Sequence, residues 1–166
     1  MTELVGLMRF NPETDVLIFA GDLVDRGPMS SGVVGWVANA CTSWPNNVFC
    51  VRGNHDERYP RYATHHARKL ANPKYKIPMH LGGEKLEVFH SLSAAHLQFL
   101  ASLPPWMKVE ANGETWVVVH AGLEPGKPLE EQDPNKICHI RYVDPRTLKS
   151  KGLTEDFQKP EETVYW

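Results

Sequence analysis

Three runs of apolar, β-prone residues in this chain each end at a segment that contains glycine and metal-capable polar side chains. The runs span residues 16–20, 48–51 and 116–119, and they are followed by GDLVDRG at 21–27, GNHD at 53–56 and HAG at 120–122. Short apolar runs that stop at a turn are typical of buried strands. Because open α/β sheets bind ligands at the carboxyl ends of their strands, we expect the three segments to meet at one edge of one sheet.

Strands and helices alternate in the sequence pattern. Residues 2–10 favour a short amphipathic helix, and Ser30 or Ser31 can cap a second helix that extends to residue 40. Strand, loop, helix and strand in this order predict a βαβ unit. Further along, the pattern predicts a helix and then an irregular basic stretch over residues 57–83, a helix over 93–103, and a hairpin that joins 108–110 to 116–119 through Asn112 and Gly113.

Composition excludes several classes of protein. The chain has 166 residues, which suffice for one domain with a sizeable core, and its formal charge of −2 gives no electrostatic argument for binding nucleic acid. No apolar run approaches the length of a membrane span, and the first residues lack the layout of a signal peptide. Three cysteines without zinc-type spacing favour a reducing compartment. We therefore expect a cytoplasmic protein without a transmembrane segment.

The polar residues of the three segments suit the hydrolysis of a phosphate ester. Such a reaction needs an activated water and neutralisation of the phosphoryl oxygens, and two divalent metal ions can supply both. Asp22, Asn54 and His120 offer a carboxylate, an amide oxygen and an imidazole, which are ligands for such ions.

A second group of side chains in the same segments suits proton transfer and phosphate binding. Asp25 can fix the tautomer of His55, which can then donate a proton to the leaving oxygen. The guanidinium groups of Arg26 and Arg52 can bind phosphate oxygens. Each motif alone also has a structural interpretation: a Gly-Asp turn, a surface ion pair between Asp25 and Arg26, a left-handed turn at Asn54 and a structural histidine at His120. Their occurrence together at three strand ends favours the functional interpretation.

The segments at 21–27, 52–56 and 119–122 resemble those of calcineurin-like metallophosphoesterases of the phosphoprotein phosphatase type. Asp56 stands where the serine/threonine phosphatases usually have Glu, and this difference, with PMS at 28–30 and LASLP at 100–104, resembles the ApaH-like branch. That branch is related to bacterial diadenosine tetraphosphatase and includes fungal endopolyphosphatases. The resemblance covers most of residues 14–148. It implies an α/β fold, with a mixed β-sheet sandwich flanked by helices, in a single domain over residues 1–166.

The resemblance also implies roles for individual residues. Asp22 would bridge two divalent ions of the manganese, zinc or iron class, Asn54 and His120 would bind the second ion, His55 paired with Asp25 would be the general acid, and Arg26 would contact phosphate. Arg141 matches a family arginine that also binds phosphate, and its alternative is a surface arginine on a short strand.

Two family segments have no match in this sequence. The family begins with Gly-Asp-x-His-Gly, which binds the first metal, and it has a late Gly-His whose histidine completes the second metal site. We therefore expect a domain truncated at both ends, in which the ligands of the second site are partly present and those of the first are mostly absent. The alternative to an active phosphoesterase is a catalytically inactive phosphate-binding or interaction domain.

The substrate stays open among several phosphate compounds. The resemblance implies hydrolysis of phosphomonoester or phosphoanhydride bonds by a water activated by two metals. The basic residues between 58 and 76 favour a long polyanion, which predicts an endopolyphosphatase in polyphosphate catabolism; a solvated charged helix is the alternative. A serine/threonine phosphoprotein phosphatase and a dinucleoside polyphosphate hydrolase are further alternatives. A vacuolar location would follow if a targeting segment precedes this sequence.

Overall fold

A computed structural model describes residues 2–111, 113–143 and 150–151. The helices are α1 (Thr2–Leu7), α2 (Ser30–Ser43), α3 (Asn54–Ala71), α4 (Glu84–Ser91) and α5 (Ala94–Ser102), with a 3-10 helix at Leu129–Glu131. The strands are β1 (Leu17–Phe19), β2 (Val48–Cys50), β3 (Trp106–Ala111), β4 (Glu114–Val119), β5 (Tyr142–Val143) and β6 (Ser150–Lys151). Within these residues, no helix combines the length and apolar character needed to cross a membrane.

The predicted βαβ unit is confirmed. Strands β1 and β2 pair in parallel, with Leu17 opposite Val48, and α2 connects them. Val34 and Val37 of α2 are fully buried, which ties the helix to the strands through apolar contact. The capping prediction is wrong in detail, because the Ser30 side chain makes no cap bond for α2. Its hydroxyl instead accepts the backbone N–H of Asp25 at 3.1 Å.

The hairpin is confirmed, but it belongs to a different sheet from β1 and β2. Strands β3 and β4 pair antiparallel over their full length, and the described residues contain three separate two-stranded sheets. The prediction that all three motifs end strands of one sheet is therefore wrong for the third motif. Strand β4 is also not buried, since Trp116 is 57% exposed. The turn residue Asn112 lies outside the described residues.

The α/β fold with helices that flank small sheets is confirmed, and its main core lies between the helices. The predicted helix over residues 93–103 is confirmed as α5, which begins after Ser93, and the Ser93 hydroxyl accepts the backbone N–H of His96. Helix α4 was not expected, because it lies just after the stretch predicted to be irregular. The fully buried members of the core are Tyr59, Leu100, Val34 and Val37. A second cluster of Ile137, Cys138 and Ile140 packs against the hairpin.

Candidate metal and phosphate site

The loops after β1 and β2 touch each other at two glycines. Gly21 has a φ of +85°, and a Cβ added there would collide with the backbone of Gly53. A Cβ added at Gly53 would collide with Asp22. Only glycine fits both positions, so the two glycines let the loops that carry Asp22 and Asn54 approach closely.

The buried carboxylate of Asp56 joins these two loops. It accepts backbone N–H groups from Asp22 at 2.7 Å, Leu23 at 2.8 Å and Gly53 at 2.9 Å. Asp56 is the third residue of α3 and is fully buried. Burial raises the pKa of this carboxyl, and the three N–H donors offset only part of that effect. The first turn of α3 is thereby fixed against the loop after β1.

Asp22, Asn54 and His120 converge although His120 comes from a different sheet. His120 Nε2 lies 3.2 Å from Asn54 Oδ1 and 3.4 Å from Asp22 Oδ2. Two atoms that bind one ion at about 2.1 Å lie roughly 3.0 to 3.4 Å apart at bond angles of about 90° to 110°. Both distances from His120 Nε2 therefore fit side chains that share one divalent cation.

Hydrogen bonding around His120 supports the same conclusion. Its Nδ1 lies 2.7 Å from the Ala20 carbonyl oxygen, which can only accept, so Nδ1 carries the proton. Nε2 is then left as an acceptor that faces a carboxylate and an amide oxygen. This tautomer, held by a carbonyl, is the one that metal-binding histidines adopt. A cation placed between these three acceptor atoms would contact all of them.

The pKa shifts at this cluster reflect the close contact between Asp22 and His120. Burial by itself would raise the pKa of Asp22, but its contacts with His120 and the His55 backbone N–H outweigh burial and lower it. The contact with Asp22 raises the pKa of His120. Among the described residues, no group of three or more His, Cys, Asp or Glu side chains could hold a metal ion. The amide of Asn54 is therefore needed as the third donor.

Asp25 and His55 form the predicted pair beside this cluster. His55 Nδ1 lies 2.5 Å from Asp25 Oδ2, and the side chains are 15% and 8% exposed. Because the carboxylate of Asp25 accepts the proton on His55 Nδ1, Nε2 of His55 is left available to another partner. Burial opposes ionisation of Asp25, but hydrogen bonds from Tyr59 and His55 outweigh it and lower the pKa of Asp25.

The loop that carries Asp22, Asp25 and Arg26 has an unusual backbone. These residues have φ values of 57°, 69° and 57°, which lie in the left-handed region that favours glycine. For a residue with a long side chain, this conformation costs about 1 to 2 kcal/mol. Such strain is most often retained at functional sites, where the fold holds a side chain in a required place.

An open cleft of about 920 Å³ adjoins His55 and Asp25. One wall is the loop from Arg26 to Ser31, and the other is α4, which contributes Glu84, Glu87 and Val88 among others. Arg26 is exposed and lines this cleft together with His55.

The two other arginines of the sequence analysis are placed differently. The guanidinium of Arg52 donates to the Pro134 carbonyl at 3.2 Å, so it binds the main chain of a neighbouring segment. Arg141 is exposed directly before β5. Within the described part of the chain, no hydrogen bond or ion pair joins Arg141 to the other predicted site residues.

Four residues near the site were missed by the sequence reasoning. Arg58 and Tyr59 both contact Asp25, and their spacing of three and four residues from His55 on one helix was an available signal. Glu84 and Glu87 line the cleft from a helix that was not predicted. They lie far from the motifs in sequence, so no local pattern indicated them.

Comparison with known proteins identifies the family of this chain. The profile of the calcineurin-like phosphoesterase family matches residues 1–163. A serine/threonine-protein phosphatase 1 from Salmonella typhimurium is 32% identical over 148 residues, which cover 87% of this chain and 62% of that protein. The asymmetrical bis(5'-nucleosyl)-tetraphosphatase PrpE from Bacillus subtilis is 33% identical over 111 residues, which cover 67% of this chain and 44% of that protein.

A solved structure has the same fold. It is described as a proposed diadenosine tetraphosphatase, and it superposes with a TM-score of 0.69 at 25% identity. The superposition covers 96% of this chain and 61% of that one. This chain thus spans less than two thirds of the length of each of these three proteins.

Proposed function

The chain belongs to the calcineurin-like phosphoesterase family, and we propose that it is a metal-dependent hydrolase of phosphomonoester or phosphoanhydride bonds. The observation that carries this proposal is the adjacency of two units. One is the cluster of Asp22, Asn54 and His120, whose spacing suits a divalent cation. The other is His55 with its Nδ1 on Asp25. Two similar proteins, one named as a phosphatase and the other as a tetraphosphatase, support the same class of reaction.

Each side chain has a defined part in this proposal. Divalent ions, one of them held by Asp22, Asn54 and His120, would acidify the attacking water and neutralise phosphoryl charge. Asp25 holds His55 so that Nε2 is free at the cleft. Protonated His55 gives its Nε2 proton to the leaving oxygen as the bond from phosphorus to that oxygen breaks. Arg26 binds phosphoryl oxygens from the cleft wall.

Charges around the cleft bear on the choice of substrate. The prediction of polyphosphate rested on the basic residues between 58 and 76, but Arg58 is paired with Asp25 and Arg61 with Glu57. The opposite wall of the cleft carries two carboxylates, Glu84 and Glu87, and one lysine, Lys85, so its net charge is negative and disfavours a long polyanion. We therefore propose a short substrate, a phosphomonoester or a dinucleoside polyphosphate. Polyphosphate stays an untested prediction.

Hydrolysis of p-nitrophenyl phosphate with Mn²⁺ tests the proposal. We expect turnover by the 166-residue chain that requires Mn²⁺, and a loss of at least about 100-fold in kcat for Asp22→Asn, whose side chain belongs to the cation cluster. His139→Ala is the matched control for histidine changes, because His139 is exposed and, among the described residues, its ring bonds only the Asn135 carbonyl. Failure of the chain to hydrolyse any phosphate compound would favour the alternative, a phosphate-binding domain without activity.

Metal binding is tested without turnover. Calorimetric titration with Mn²⁺ should give a Kd at least about tenfold higher for His120→Ala, because one of three converging donors is removed. His139→Ala should bind as the unmodified chain does. Equal affinity in His120→Ala would contradict the cation site.

A further inference from the structure

Among the residues that the structure describes, the carboxylate of Asp25 has three side-chain partners, and two of them have no part in the proposed function. Arg58 Nη1 lies 2.9 Å from Asp25 Oδ2, the oxygen that also contacts His55. The Tyr59 hydroxyl donates to the other oxygen, Oδ1. Tyr59 is fully buried, whereas the Arg58 side chain is 22% exposed.

Helix geometry brings the three partners together. His55, Arg58 and Tyr59 stand at positions i, i+3 and i+4 of α3, so they share one face of its first turns. This face meets the strained loop at Asp25, whose backbone N–H is held by Ser30. Asp25 is therefore held by a hydrogen bond at its backbone N–H and by contacts at both oxygens of its carboxylate.

The division of the two oxygens determines what His55 can contact. With Oδ1 bound by Tyr59, Oδ2 is the oxygen that faces the imidazole. Arg58 Nη1 lies 3.5 Å from His55 Nδ1, so the guanidinium and the imidazole share this oxygen at close range. Without the Tyr59 hydroxyl, the carboxylate is free to turn and offer both oxygens to the guanidinium, which favours paired contacts. His55 would then lose the partner that sets its tautomer and ring orientation.

We propose that Tyr59 and Arg58 are positioning residues that hold Asp25 so that His55 presents its Nε2 proton to the leaving oxygen. This inference rests on the proposed function, because the proton transfer belongs to that reaction. Neither residue touches the substrate. Tyr59 contributes more than Arg58, since it is the sole side chain in the described part of the chain that hydrogen-bonds Asp25 Oδ1.

A series of aryl phosphates separates positioning from a purely structural role. A nitrophenolate leaves without a proton, whereas a phenolate of higher pKa needs one, so weaker acid catalysis steepens the fall of kcat with leaving-group pKa. We expect Tyr59→Phe to lower kcat about tenfold more for phenyl phosphate than for p-nitrophenyl phosphate. His55→Ala should give the largest difference. Arg58→Gln should also lower kcat more for phenyl phosphate than for p-nitrophenyl phosphate, but by a smaller factor than Tyr59→Phe.

Tyr62→Phe is the matched control. Tyr62 lies on the same helix, and its ring packs against Phe89 rather than the site. A plot of log kcat against leaving-group pKa should have the same slope for Tyr62→Phe as for the unmodified chain. The same slope in Tyr59→Phe as in the unmodified chain would overturn the inference. If Tyr59→Phe does not fold, as shown by thermal unfolding, Arg58→Gln decides by the same criterion, because its side chain is partly exposed and contributes little to the core.

A measurement without turnover covers the case of an inactive chain. Proton NMR should show a downfield Nδ1–H signal from His55, because its proton lies against a carboxylate at 2.5 Å. The signal should move upfield in Tyr59→Phe and stay in Tyr62→Phe, and an unchanged signal in Tyr59→Phe would overturn the inference. If His55→Ala steepens the leaving-group dependence but Tyr59→Phe does not, the inference fails and the proposed function stands. If His55→Ala has no effect, the proposed function fails.

Discussion

The carboxylate of Asp56 accepts the backbone N–H of Asp22 at 2.7 Å, so a side chain at the start of α3 holds the loop after β1. The same oxygen accepts the N–H of Gly53 at 2.9 Å, and the other accepts that of Leu23. Asp22 in turn accepts the backbone N–H of His55 at 3.0 Å. The residues proposed to bind the cation and to donate the proton are thereby joined through main-chain contacts.

Replacement of Asp56 by asparagine should destabilise the fold. Asparagine has one acceptor oxygen where three N–H groups need two, and its amide N–H₂ would face a backbone donor in a buried place. We expect the free energy of unfolding to fall by about 2 to 3 kcal/mol, measured by urea unfolding.

Asp15→Asn is the control for this change. Asp15 also accepts a backbone N–H, that of Asn11 at 2.9 Å, but the bond is exposed, so water can replace it. Its cost should stay below about 1 kcal/mol. Equal effects of the two substitutions would show that burial of Asp56 does not carry the predicted role.

Local patterns were sufficient to predict most elements. Alternation of apolar runs with glycine indicated β1 and β2, and Ser93 with the apolar positions after it indicated α5. Hairpin pairing followed from β-prone residues around a turn signal. These features depend on neighbours in sequence, which is why a sequence pattern carries them.

Long-range placement could not be predicted in the same way. His120 was expected on the edge of the sheet formed by β1 and β2, but it reaches Asn54 from a separate hairpin. Its position depends on the Ala20 carbonyl, a contact across 100 residues of sequence. The cleft wall formed by α4 likewise depends on tertiary packing, since this helix has no strong pattern of its own.

Arg26→Gly should separate stability from activity. Arg26 has a φ of 57°, and glycine adopts this conformation without steric cost. We expect the free energy of unfolding of Arg26→Gly to be about 1 kcal/mol higher than that of Arg26→Ala. Both variants lack the guanidinium, but alanine keeps the strain of the left-handed backbone. Both variants should lose phosphate turnover alike. Equal stability of the two variants, measured in urea, would show that the loop holds no strain at this residue.

The carboxylate of Glu124 predicts a pH dependence of stability. Hydrogen bonds from Lys127 at 2.9 Å and Lys136 at 3.1 Å lower its pKa from 4.5 to about 2. A carboxyl with a lowered pKa stabilises the folded state fully above its ordinary pKa, and that contribution is lost as the pH falls from 4.5 towards about 2.

Thermal unfolding of Glu124→Gln measures this effect. The Tm of the variant should lie below that of the unmodified chain near neutral pH, and the gap should narrow steadily below pH 4.5. Glu131→Gln is the control, because Glu131 is exposed and makes no ion pair within the described residues. A gap that stays constant down to about pH 3 would contradict the prediction.

The two carboxylates on α4 predict how the chain discriminates against long polyanions. Glu84 and Glu87 line the cleft, and neither has an ion-pair partner among the described residues, so their charges act on whatever enters. The double variant Glu84→Gln/Glu87→Gln should raise kcat/KM for polyphosphate, relative to p-nitrophenyl phosphate, by about three- to tenfold at low salt. Salt at about 0.5 M should remove most of that gain, because exposed charges are screened.

Glu114→Gln, an exposed change on β4, should leave the ratio unaltered. An unaltered ratio in the double variant, together with rapid and strongly salt-sensitive hydrolysis of polyphosphate by the unmodified chain, would instead support the basic stretch over residues 58–76 as the feature that selects the substrate.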